Sequence, residues 1–306
     1  MPLHIETPLL KSYPLSSVVN RSVWLKLDAL QPPGSFKIRG IGAACEHYAQ
    51  AGAQRFVSSS GGNAGMAVAY AGQCLSIPVT VVVPENATDR SKALLQQLGA
   101  TVIVHGPSWQ EANAQALSIL DEQDAFIHPF DNPLVWEGHA TMIDEAVRSG
   151  LKPDAVVVSV GGGGLLCGVV EGLHRNHLAH VPVLAVETEG AESFHKAQLA
   201  GHLIELEQIS SLANTLGAKQ VCNRALQWTQ EHDIRSVVVS DQAALSACER
   251  FLDDHRVLVE PACGAAIALA YEQSSAFEGF ETILIVVCGG ATVTIDQIRN
   301  WLGGDK

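Results

Sequence analysis

The chain has 306 residues, 47% of them apolar, enough for packed cores over about two domains. Only 17% are charged, too few for a disordered or coiled-coil protein. Acids outnumber bases by 32 to 19, a net charge of −13 that repels nucleic acid and anionic membrane surfaces.

In chain order, strands predicted at 23–27, 55–58, 79–83 and 101–105 alternate with helices at 40–51, 65–73, 89–98 and 110–122. After a Pro-Phe-Asp-Asn-Pro break at 129–133 come a helix at 138–148, a strand at 155–160, a helix at 164–174 and a strand at 183–187. A strand at 236–240, helices at 241–252 and 264–271 and a strand at 282–287 complete the pattern. Several strands are almost wholly apolar, as strands covered by helices on both faces are. This is the βαβ grammar of the α/β class. A Gln-Pro-Pro-Gly break at 31–34 pairs with the one at 129–133 as two crossings of one junction. The reading is a large domain of 1–34 and 135–306, with a small domain, 35–134, inserted in it. Each is an open, mostly parallel sheet flanked by helices, with ligands in the interdomain cleft beyond the strand ends.

The seven cysteines are odd in number and at least 15 residues apart, which is neither a disulfide framework nor a zinc module. The N-terminus lacks the basic flank and apolar core of a signal peptide, and the longest apolar runs are strand-length. A soluble, cytoplasmic protein without membrane partners is expected.

Three strand-to-helix turns carry clustered glycine. The strand predicted at 155–160 runs into Gly161-Gly162-Gly163-Gly164 and then Leu165 at a helix start. Without Cβ atoms the loop N–H groups can crowd an anion, and the helix terminus adds partial positive charge. The reading is a phosphate cradle. It is not Walker A, because Leu165-Leu166 replaces Lys-Ser/Thr, and the Gly-x-Gly-x-x-Gly spacing also fails. Only Glu187, ending the next strand, keeps an NAD-binding alternative open, as an acid that could hold a ribose hydroxyl. The second turn, Ser58-Ser59-Ser60-Gly61-Gly62-Asn63-Ala64-Gly65, gathers hydroxyl, amide and N–H donors suited to a carboxylate. The third is Cys288-Gly289-Gly290.

Of eight lysines, Lys11, Lys92, Lys152, Lys196, Lys219 and Lys306 sit in polar surroundings, and Lys26 is read as solvent-facing along its strand. Lys37 differs, lying at a turn into a helix between Phe36 and Ile38. Desolvation of such an ammonium lowers its pKa and frees it to act as nucleophile or base.

A phosphate cradle, a carboxylate turn and an activatable lysine are the parts of a pyridoxal-phosphate enzyme acting on an amino acid. The chain resembles the fold type II (tryptophan synthase β-like) pyridoxal-phosphate enzymes, in the serine dehydratase (L-serine/L-threonine ammonia-lyase) branch. The matching words include Gly34-Ser35-Phe36-Lys37-Ile38-Arg39-Gly40, Ser59-Ser60-Gly61-Gly62-Asn63-Ala64-Gly65 and Ser159-Val160-Gly161-Gly162-Gly163-Gly164-Leu165. Pro129-Phe130-Asp131, Trp136-Glu137-Gly138-His139, Val259-Glu260-Pro261-Ala262-Cys263-Gly264 and Cys288-Gly289-Gly290 follow in the same order.

The resemblance implies that Lys37 forms the Schiff base, Phe36 packs beside the cofactor ring and Asn63 bonds the ring's 3-oxygen. It further implies that Ser60, Gly61, Asn63 and Ala64 hold the substrate carboxylate; Gly61, from its place at that turn, is read here as the position that tunes serine against threonine. Gly161, Gly162, Gly163, Gly164 and Leu165 would wrap the phosphate, and Cys288 would face the pyridine nitrogen. A thiol there leaves that nitrogen less firmly protonated than a carboxylate would, which suits β-elimination. A monovalent cation (K+) site is implied at Glu187, Ala191 and Ser193 with carbonyls of Gly161, Leu216 and Ala218, and so is a homodimer. The alternatives are another fold type II enzyme (serine racemase or a β-replacing synthase) and, more remotely, an amino-acid sensor. The short stretch after Cys288 leaves no room for a regulatory domain on this reading. His174-x-x-His177-x-x-His180 is read as solvated surface. Zinc and serine hydrolases have no anchor without His-Glu-x-x-His or Gly-x-Ser-x-Gly.

Overall fold

The computed structural model of the chain describes residues 1–272 and 275–303; Lys306 lies outside them. The elements begin β1 (Leu9–Lys11), α1 (Tyr13–Val19), β2 (Ser22–Lys26), α2 (Lys37–Gln50), β3 (Arg55–Ser58), α3 (Asn63–Leu75), β4 (Val79–Val83), α4 (Asp89–Gln97), β5 (Thr101–Val104), α5 (Trp109–Ser118) and β6 (Asp124–Phe126). They continue with α6 (Pro133–Arg148), β7 (Ala155–Ser159), α7 (Gly164–Arg175), β8 (Val183–Thr188), α8 (Ser193–Ala200), α9 (Asn223–Trp228), β9 (Ile234–Val239), α10 (Asp241–His255), α11 (Pro261–Tyr271), β10 (Thr282–Val286) and α12 (Ile295–Leu302). Two compact units result, one of Met1–Ile5 with Gln31–His139, the other of Glu6–Leu30 with the chain from Ala140 onward. The segment 35–134 falls within the first unit.

The first unit holds a four-stranded parallel sheet in the order β5-β4-β3-β6. All five residues of β4 are buried, and Val57 and Val82 pack with Ala112 and Ala116 of α5. On α3, a Cβ at Gly72 would lie 2.2 Å from the Val79 side chain, so glycine lets the helix rest directly on β4.

The second unit holds a six-stranded sheet in the order β1-β2-β10-β7-β8-β9, parallel except for β1 at the edge. Every residue of β7 and β8 is buried, as strands covered on both faces require. Helix α11 is buried from Pro261 to Ala270 and apolar all round, the signature of a helix inside a core. Gly264 brings it close to α10, where a Cβ would strike the Ala244 carbonyl.

The α/β class with two mostly parallel sheets is the one read from the sequence. The three-residue strands β1 and β6 escape that reading because they are too short to show a period. Helix α6 begins at Pro133, not at 138. Proline fits a helix's first position, where its missing N–H costs nothing. Helix α5 ends at Ser118, four residues before its predicted end. Helix α12, not expected, carries a capping box between Thr294 and Gln297.

One reading is corrected. Lys26 does not face solvent: it is 1% exposed, its Nζ 2.5 Å from Glu145 of α6 and 2.6 Å from the Thr7 carbonyl. Alternation along one strand shows two faces but not whether a helix covers the second. Here α6 does, and it brings the counter-charge with it. Nearby, Thr7 donates to Asp28 at 2.6 Å, fastening the N-terminal segment to the same sheet. Lys26→Ala strands a buried carboxylate and should cost about 3–5 kcal/mol of unfolding free energy in urea, whereas Lys26→Met with Glu145→Leu recovers most of it. Equal losses in the single and double variants would contradict this account.

Candidate functional site

In the first unit, the chain turns at 31–34, where Gly34 (φ 81) donates to Gln31, and enters α2 with Phe36 as its flanking residue. Lys37 is thereby the first residue of α2, half-buried. Its Nζ donates to the Pro129 carbonyl at 2.7 Å and lies 5.2 Å from the Phe36 ring centre. That carbonyl is presented by a turn folded round His128, whose Nδ1 accepts from the N–H groups of Phe130 and Asp131. Trp136 steadies the turn by donating its indole N–H to the Phe130 carbonyl at 2.7 Å.

His139 belongs to the same constellation, although its only sign in the sequence is its place in a matching word. It is fully buried, tilted against Phe36 at 4.8 Å, and its Nδ1 accepts from the Gly40 N–H at 3.2 Å. The accepting Nδ1 places the proton on Nε2. Burial first, then the cations Lys37 and Arg39, holds this imidazole well below its ordinary pKa, so it is neutral. Gly40 and Gly138 are required here, because a Cβ at either would collide with backbone of the other segment.

The serine–glycine turn leaves β3 and enters α3 at Asn63. Ser59 donates to Asn113 at 2.7 Å, Ser60 Oγ accepts from the Gly62 N–H, and Ser91 donates to the Gly61 carbonyl. Gly65 is indispensable: a Cβ there would lie 1.8 Å from the Ser60 carbonyl oxygen. Asn63 and Ala64 are buried at the helix start, with Ser60 and Gly61 half-buried beside them. The unit therefore holds Lys37, Phe36 and the four residues Ser60, Gly61, Asn63 and Ala64 of the serine–glycine turn.

In the second unit, β7 runs into the four glycines and α7. Among the described residues, no backbone or side-chain acceptor takes the N–H of Gly161, Gly162, Gly163 or Gly164. The loop is held instead through its carbonyls, Gly162 accepting from Cys222 and Gly163 from Cys167. Gly163 has φ +89, and a Cβ there would lie 2.7 Å from the side chains of Ala225 and Val221. Open N–H groups at a helix start, on a loop whose Gly163 tolerates no Cβ, fit an anion of phosphate size. Cys288 ends the strand region of β10, buried, with its N–H donating to Cys263 Sγ at 3.2 Å. Its hydrogen bond to Cys263 first, then burial, raises its pKa well above the ordinary thiol value, so it is neutral.

Glu187 is fully buried near the end of β8 and accepts from the N–H groups of Phe194 (2.8 Å) and His195 (2.7 Å) at the start of α8. Burial pushes its carboxyl up to about 8 against the pull of those two bonds. Ser193 is buried beside them, and its hydroxyl finds no hydrogen-bond partner among the described residues. Ala191 is buried and donates its N–H to Thr188. Leu216 packs against Gly161 with backbone about 3.1 Å from a Cβ position there, and its carbonyl accepts from Ala218 at 2.7 Å. Among the described residues no three His, Cys, Asp or Glu side chains cluster for a metal.

Of the histidine tract, His177 and His180 are exposed as read, but His174 is not plain surface. It packs on Trp228 at 5.0 Å and meets His232 at 3.2 Å, because α9 covers that end of α7.

A family model described as pyridoxal-phosphate dependent enzyme matches residues 1–289. The human "L-serine dehydratase/L-threonine deaminase" is 48% identical, over 97% of this chain and 94% of that protein. The crystal structure of a fungal L-serine ammonia-lyase from Rhizomucor miehei superposes with a TM-score of 0.95 at 31% identity, covering all of both chains. Maize serine racemase gives 0.88 at 25% identity, covering 98% of this chain and 92% of that one.

The glycine loop yields a direct expectation. Gly163→Ala forces a side chain into left-handed backbone and a filled space, a cost of about 2–4 kcal/mol. Thermal denaturation should show that loss, and calorimetry a weakening of phosphate binding to the cofactor-free protein. Wild-type affinity and stability in the variant would refute the cradle.

Proposed function

The chain belongs to the pyridoxal-phosphate-dependent enzyme family, and from that premise we propose that it deaminates L-serine and L-threonine to pyruvate or 2-oxobutanoate plus ammonia. The observation that carries the reading is the amine of Lys37 at the first turn of α2, held on the Pro129 carbonyl beside an aromatic ring. The same unit carries the donor-rich turn from Ser60 to Ala64. When bound, pyridoxal phosphate supplies an aldehyde that joins an amine and a ring that withdraws electrons from the substrate Cα.

On this reading Lys37 Nζ would hold the cofactor and, as a free amine, would take the Cα proton. Ser60, Gly61, Asn63 and Ala64 orient the substrate carboxylate with hydroxyl, amide and N–H donors. Asn63 also meets the ring's 3-oxygen, and Phe36 flanks the ring. The N–H groups from Gly161 to Leu165 take the phosphate locally, against the negative field of the whole chain. Cys288, held neutral, faces the ring nitrogen without the full charge a carboxylate would bring. The Cα proton and the β-hydroxyl leave as one water, which returns when the released enamine hydrolyses to the oxo acid and ammonia. The proposal extends to a cytoplasmic homodimer, supported by seven free cysteines and by exposed Leu10 and Tyr13 near the sheet edge.

Lys37→Ala should lose the absorbance of the lysine-bound cofactor, and pyruvate formation from L-serine should fall by about 10³-fold or more. Undiminished turnover would refute the assignment.

We also propose a monovalent cation at Glu187, Ala191 and Ser193 with carbonyls of Gly161, Leu216 and Ala218. A buried carboxylate and a buried hydroxyl with no partner among the described residues are the groups such an ion would satisfy. Without the ion, the raised Glu187 pKa stabilises the fold fully only below the unfolded carboxyl value of 4.5, a contribution lost as pH rises through about 8. Potassium replaces the missing proton, so its effect on melting temperature, measured against tetramethylammonium, should grow from about pH 6 to about pH 9. Glu187→Gln should abolish that growth. A potassium effect independent of pH would contradict the site.

A further inference from the structure

Glu260 precedes α11 and is 2% exposed, yet its carboxylate makes no bond to its own helix start. One oxygen accepts the hydroxyl of Thr215 at 2.9 Å and the other accepts the hydroxyl of Thr292. Its backbone N–H donates to the Gly289 carbonyl at 3.1 Å, and its carbonyl accepts from Cys263 and Gly264. Cys263 in turn takes the N–H of Cys288 on its sulfur. Glu260 therefore grips the turn from Cys288 to Thr292 at both ends, by backbone at Gly289 and by side chain at Thr292. Gly290 lies flush against the same segment, a Cβ there falling 2.4 Å from the Leu258 carbonyl.

Its other arm reaches elsewhere. Thr215 directly precedes Leu216, whose backbone rests against Gly161 at the head of the glycine loop. One carboxylate thus fastens the turn that carries Cys288 to the turn that backs the phosphate cradle. Core rigidity alone does not require a charge here, since apolar side chains can replace buried ionic groups at little cost. What a carboxylate adds is two directional acceptors about 2 Å apart, each committed to a hydroxyl on a different turn.

We propose that Glu260 is a positioning residue that holds the Cys288 turn and the glycine loop in register, so that one rigid ligand meets both. The inference rests on the functional reading above, in which the phosphate and the ring nitrogen of pyridoxal phosphate are the two ends of that ligand. Its two arms are separable. Thr215 serves the phosphate end, Thr292 the ring-nitrogen end, and Glu260 both.

The test uses Thr215→Val, Thr292→Val and Glu260→Gln, read by the affinity of the cofactor-free protein for inorganic phosphate and by the absorbance maximum of the holoenzyme. Loss of one charge-assisted bond predicts that Thr215→Val weakens phosphate binding about tenfold without moving the absorbance maximum. Thr292→Val should shift the maximum and leave phosphate affinity within about twofold, and Glu260→Gln should change both. The inference is overturned if the two threonine variants fold and only lower the melting temperature, with affinity and maximum at wild-type values. It is also overturned if both threonine variants change both readouts alike. A wild-type protein that shows no cofactor band would overturn the functional reading itself, and so is distinguishable from either result.

Discussion

Strands buried on both faces confine the chemistry of this protein to their ends. β4, β7 and β8 bury every residue, and β3 and β10 nearly so, leaving no room along them for a polar site. Polar groups collect where strands stop and helices begin. There the first N–H groups of a helix have no partner within it. The four glycines after β7 and the serine–glycine turn after β3 are two versions of that situation. One contributes backbone alone; the other adds hydroxyl and amide groups. Close approach alone fixes glycine at two of these positions, since Gly65 and Gly163 have no space for a Cβ.

Buried charge is handled in three ways. Lys26 and Glu145 neutralise each other, and their value is to fix α6 on the sheet face. Glu187 accepts from two backbone N–H groups, and burial raises its pKa against those bonds and the pull of Lys196. Glu260 spreads its charge over two hydroxyls drawn from separate turns. Only the first resembles an ordinary structural ion pair. Glu260 reaches, through Thr215, the turn whose next residue, Leu216, rests against Gly161.

What was legible in the sequence is what is local. The glycine run, the serine–glycine turn and Lys37 in its short word are each read within about ten residues, and the βαβ alternation carried the fold class. What was not legible depends on contacts distant in sequence. His139 is tied to Gly40 from 99 residues away, Glu260 to Thr215 from 45, and Lys26 owes its burial to a helix far downstream. No periodicity along β2 could reveal the covering helix. The capping box of α12 is a different case, a local signal present at Thr294 and Gln297 but lying beyond the last strand of the βαβ pattern.

The central claim is that, of eight lysines in the chain, Lys37 alone bonds the cofactor. Borohydride reduction of the holoenzyme followed by peptide mass mapping tests it directly. A phosphopyridoxyl group on the peptide containing Lys37, and on no other, is the result this account predicts. The same group on a different lysine, or on none, would contradict it.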